Sequence, residues 1–148
     1  TNEGGILAPG HSAGTTFIGG AYTQESTGVL AIELGGLTQG TEYDWLDVNG
    51  AVTLAGSLEV SLIDDFIPSF ADTFDIVTAT TVALDPSLSF TAPEGFLGNY
   101  SFTMDVVGGG PRGQILRLTV VPEPASCLLL VLGVLALLCR ARRNRGRR

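Results

Sequence analysis

Lysine is missing from all 148 residues, histidine occurs once, and no cysteine precedes Cys127. The missing cysteines exclude a disulfide framework and any thiolate metal site from everything before that point. Positive charge is scarce there as well. Up to Val121 two arginines, Arg112 and Arg117, stand against fourteen acidic residues. A surface of that sign repels nucleic acid and anionic lipid, so nucleic acid is not an expected partner. Helical spacing is also absent, because no twelve-residue window before Pro122 repeats its apolar residues at 3.6. Nothing near Thr1 resembles a basic segment leading into an apolar one, so the expectation is the C-terminal part of a longer precursor with its export signal upstream.

What the first 121 residues lack, the rest supplies. Residues 125–139 carry no charge and include seven Leu and two Val, and Arg140, Arg142, Arg143, Arg145, Arg147 and Arg148 follow. Those nine aliphatic residues favour membrane over water by about 3 to 5 kcal/mol. The run would span about 22 Å as a helix against a hydrocarbon core of about 30 Å, a deficit that snorkelling arginines can offset. One transmembrane helix over residues 125–139 is therefore predicted, with the arginine cluster as its cytoplasmic stop and residues 1–121 on the other side. Cys127 and Cys139 read as small apolar members of that run. Between domain and run stands Pro122-Glu123-Pro124, a rigid, extended linker that cannot enter a helix interior and would present its backbone to a protease.

Pro-Glu-Pro, an apolar run and a terminal arginine cluster, in that order, resemble the PEP-CTERM protein-sorting signal of Gram-negative envelopes. The resemblance implies an exosortase partner, a membrane protease that processes proteins bound for the cell surface or an exopolysaccharide matrix. It makes Pro122, Glu123 and Pro124 the sorting motif.

Before the tail, apolar and polar residues alternate at period two with glycine at the breaks, which reads as strands. "GVLAIEL" from Gly28 and "GSLEVSL" from Gly56 align at an offset of 28, placing Leu30, Ile32 and Leu34 on Leu58, Val60 and Leu62. Such a period predicts an all-β domain built as the stacked coils of a β-solenoid, each burying its inward face on its neighbours. A β-sandwich is the alternative, and Asn49-Gly50 between two strand runs favours a tight hairpin. "GILAPGHSAGTTFIGGAYTQESTGVLAIELGG" and "GTEYDWLDVNGAVTLAGSLEVSLI" are similar to the passenger repeats of autotransporter adhesins, which implies a short right-handed parallel β-solenoid with a hairpin-rich C-terminal cap, a passenger-like shape without the translocator barrel.

Catalytic motifs are weak. "GHSAG" at residues 10–14 has the G-x-S-x-G form of a hydrolase nucleophile turn, but His11 precedes Ser12 and no histidine follows it, so a turn is expected. Glu42, Asp44 and Asp47 lie close in sequence and Asp64-Asp65 are adjacent, yet neither group has calcium-loop spacing. Trp45 and Tyr43 are candidates for stacking on sugar rings, with packing the plainer reading. Asn99-Tyr100-Ser101 reads as a surface turn and Gly108-Gly109-Gly110-Pro111 as a loop.

The expected organisation is a β domain over residues 1–121, the motif over 122–124, the span over 125–139 and a basic tail over 140–148. No catalytic, metal or cofactor residue is assigned. The expected function is that of a non-enzymatic, adhesin-like or structural envelope protein, with membrane lipid and an exopolysaccharide or cell-surface glycan as further partners. The alternative is the accessory and anchoring region of a secreted polysaccharide-active enzyme whose catalytic domain lies upstream.

Overall fold

A computed structural model describes residues 1–11, 13–93 and 100–122. Twelve strands form three sheets and, among the described residues, no helix. The first sheet holds β1 (Ile6–Leu7), β4 (Val29–Leu34), β7 (Ser57–Leu62) and β10 (Ser89–Thr91), all parallel. A second, also parallel, holds β3 (Tyr22–Gln24), β6 (Ala51–Leu54) and β9 (Thr81–Leu84). The third begins with β2 (Thr15–Ile18), β5 (Trp45–Val48) and β8 (Thr73–Ala79) in parallel. It then continues antiparallel through β12 (Gly113–Pro122) and β11 (Tyr100–Gly110).

The repeated segments lie side by side. Leu30 pairs with Leu58, Ile32 with Val60 and Leu34 with Leu62. Their inward faces are closed: Leu30, Ile32, Leu34 and Leu58 have no exposed surface. Each such side chain contributes about 1.5 to 3 kcal/mol by leaving water. The turn before β7 depends on Gly56, whose φ is 71° and where a Cβ would stand 2.3 Å from the Gly28 carbonyl oxygen. Only glycine fits that approach.

Two expectations about the architecture need correction. A parallel β-solenoid finished by a separate cap does not describe the domain, because the hairpin is part of the third sheet and makes it mixed. The turn from Gly110 to Gly113 is too short for anything but antiparallel pairing, and β12 then occupies the free edge of β8, where a further parallel strand would have gone. The β-sandwich fares no better, since two of the three sheets are wholly parallel. The domain is all-β with mixed sheets. Nor is Asn49-Gly50 a hairpin: β5 and β6 belong to different sheets, so it marks a corner.

The transmembrane helix predicted over residues 125–139 falls outside the described residues. No helix among the described residues is long and apolar enough to cross a membrane.

Where β8 meets β12 the register slips: Leu116 pairs with Val77 but Arg117 with Asp75. Ile76 is the extra residue of a bulge, which lets both Ile76 and Val77 face inward with no exposed surface. Phe74, also fully buried, gathers the aromatic core, with Tyr43 edge-on at 5.3 Å and Phe66 at 6.1 Å.

Candidate functional site

The chain leaves the domain along β12, an inner strand for most of its length. Val120 is 1% exposed and tied on both sides. It pairs with Phe102 of β11, its amide donates to the Asp72 carbonyl at 2.9 Å, and its carbonyl accepts from the Ala71 amide at 3.0 Å. Pro122, the first sorting residue predicted, is the last residue of the strand and stands opposite Tyr100. A proline is tolerated there because it needs no ladder donor at a strand end. Glu123, Pro124 and the six tail arginines lie outside the described residues.

Two ion pairs missed by sequence reasoning fasten the β11–β12 hairpin to the rest of the third sheet. Arg117 on β12 grips Asp75 on β8 with two parallel bonds, the longer 2.9 Å from Nη2 to Oδ2. Arg112, in the hairpin turn, engages Asp47 of β5 through Nε and, at 2.8 Å, through Nη2. Its Nη1 donates to Asn49 Oδ1 at 2.9 Å, and its guanidinium lies 5.4 Å over the Phe17 ring. The fork of a guanidinium suits such bidentate contact. A signal was available: these are the two arginines in an otherwise acidic domain, and both are spent inside the fold.

The carboxylates singled out by sequence separate into three unrelated tasks. Glu42 accepts from the Thr38 amide at 2.8 Å and the Leu37 amide at 3.1 Å, and the Thr38 side chain, together with these amides, holds its carboxyl below the usual range. Asp47 pairs with Arg112. Asp44, 1% exposed, accepts from Gly14 at 2.7 Å and from Glu33 at 2.9 Å; burial pushes its carboxyl up against the pull of those two amides. No three His, Cys, Asp or Glu side chains among the described residues gather to hold a metal.

Gly10, His11 and Ala13 of the G-x-S-x-G segment are turn residues. A Cβ on Gly10, at φ 78°, would meet Gly14 Cα at 2.3 Å, and the amides of Ala13 and Gly14 are held by Glu33 and Asp44. Ser12 lies outside the described residues. Tyr43 is a core residue whose hydroxyl accepts from the Asp75 amide at 3.3 Å, and Trp45 donates its indole N–H to Thr78 Oγ1 at 2.9 Å. Both bind the third sheet together.

Comparison with known proteins decides what the exit leads to. Residues 120–143 match the PEP-CTERM protein-sorting motif. A PEP-CTERM signal implies an exported, envelope-targeted protein recognised by an exosortase, which is a membrane protease. The match starts at Val120, so the first three residues of the PEP-CTERM segment are strand residues of the domain itself. It covers the sorting segment alone and lends nothing to the autotransporter-passenger resemblance of the residues before it. No curated protein matches the chain.

Proposed function

We propose that this is a non-enzymatic protein displayed on, or deposited around, the cell envelope, and that residues 1–122 are its working part. The observation that carries the reading is the sorting match that begins on the last strand of a closed β domain. The tail's apolar run and arginines hold the precursor at the membrane, Pro122, Glu123 and Pro124 present the chain to the exosortase, and release leaves a strongly acidic product. An adhesin-like or structural role, with an exopolysaccharide or cell-surface glycan as partner, suits a domain in which Asp44, Asp47 and Asp75 are committed to its own loops and strands.

The test is mass spectrometry of the mature C terminus in native cells fractionated into membrane, envelope and medium. A terminus within residues 122–126 is expected. An intact Arg148 in the membrane fraction would sink the reading. Glu123→Ala should leave the domain folded but cause full-length protein to accumulate in membranes, since Glu123 supplies the only charge in the linker; unchanged processing would remove Glu123 from the recognition.

A further inference from the structure

Six large apolar side chains stand exposed among the described residues, and three of them, Leu37, Ile67 and Phe70, lie on one corner of the domain. Leu37 belongs to the connection from β4 to β5, and Ile67 and Phe70 to the connection from β7 to β8. Both connections carry the chain from the first sheet to the third, and they stack, with the Ile63 amide donating to the Leu34 carbonyl at 3.0 Å.

Their outward aim is built in. Phe66 packs edge-on against Phe74, and Pro68 is buried. These two inward residues leave Ile67 78% and Phe70 57% exposed on either side. Ser69 and Asp72 brace the tip: the Ser69 amide donates to Asp72 Oδ2 at 2.7 Å and the Asp72 amide to the Ser69 carbonyl at 3.1 Å. In the stacked connection Glu42 fixes Leu37 in the same way, by accepting from its amide.

The position of this corner says what it meets. Ala71 and Asp72, directly after Phe70, are the residues whose backbone bonds Val120, the first residue of the sorting match. The apolar run starts five residues further on, a distance of at most about 17 Å of extended chain. The corner therefore lies next to the point from which that segment departs, and an exosortase works at a membrane.

We infer that Leu37, Ile67 and Phe70 form a lipid-contacting corner that rests on the bilayer surface while the sorting segment is uncut. The inference builds on the proposed membrane-held precursor. Asp64 and Asp65 enter the same loop, so the attraction is apolar rather than ionic and the fitting surface is zwitterionic.

The experiment uses the full chain with Cys127→Ala and Cys139→Ala, carrying one environment-sensitive fluorophore at Ser69→Cys or, as a distant control, at Thr53→Cys on β6. Each is mixed with phosphatidylcholine vesicles and floated. The expected result is co-flotation with a blue-shifted emission at position 69 that brominated lipid quenches, neither effect at position 53, and loss of both at 69 on adding Ile67→Asp and Phe70→Asp. Flotation with an aqueous signal at 69 overturns the lipid corner and leaves the tail reading standing. Failure to float overturns both. An aqueous signal at 69, together with slower release of the Asp variant in cells, would give the corner to the protease and overturn the lipid assignment.

Discussion

At Asp64 and Asp65 the backbone carries a φ of 54° twice in succession, and the Phe66 amide closes the turn on the Ile63 carbonyl at 3.0 Å. Two consecutive left-handed residues are the signature of a type I′ turn, for which Asp-Gly is a preferred pair. A Cβ in that region costs about 1 to 2 kcal/mol, while glycine gives back about 0.5 to 1 in chain entropy. Asp65→Gly should therefore raise the thermal midpoint by a few degrees, as read by circular dichroism; a lower midpoint would show that Asp65 contributes something beyond the turn. Two adjacent solvated acids fit an exposed turn, but the sequence does not show its type, because positive φ is invisible in a residue type that only tolerates it. Asp44 was hidden for a related reason. Its role comes from amides thirty and eleven positions away in the chain, Gly14 and Glu33, which only folding brings to it.

The hairpin of β11 and β12 is the element that departs most from a repeat, and polar bonds as much as apolar ones attach it. Arg117 and Asp75 are directly opposite across antiparallel strands, with side chains 36% and 27% exposed. Solvent screening at that exposure leaves about 0.5 to 1 kcal/mol of coupling, even with bidentate geometry. A double-mutant cycle of Arg117→Met and Asp75→Asn, followed by urea denaturation, should return a coupling in that range; zero coupling would reduce the pair to a crystal-like ornament of the surface. The strands themselves were legible. β4, β7 and most of β12 fall where alternation put them, and the offset of 28 is realised as the β4 and β7 register. The partner of β12 was not legible. Period two says which face is apolar and is silent on direction, so nothing distinguished a parallel return beside β8 from an antiparallel one.

For the molecule as a whole, composition alone separated domain from tail, and motif order pointed to the sorting segment that the family comparison then found at residues 120–143. What composition could not convey is that domain and signal share residues. Two residues, Glu123 and Pro124, separate Pro122 at the end of the sheet from the start of the apolar run at Ala125, a tether of about 11 Å at full stretch. So short a tether crowds the protease against a folded domain. Inserting about eight Gly-Ser residues between Pro122 and Glu123 would add about 15 Å of mean reach and should speed release in pulse-chase labelling. An unchanged or slower rate would mean that the protease uses the nearby domain surface.

The course of β12 also settles how the domain bears load. Any drag on the domain while its C terminus is held pulls along the strand axis from Pro122. Near its end the strand is bonded to β11 on one side and to the residues leading into β8 on the other, and further in to β8 itself. Force in that direction meets the hydrogen bonds of two ladders in shear, all strained together, instead of peeling them one after another. The domain is thus hung from a strand held by ladders on both sides.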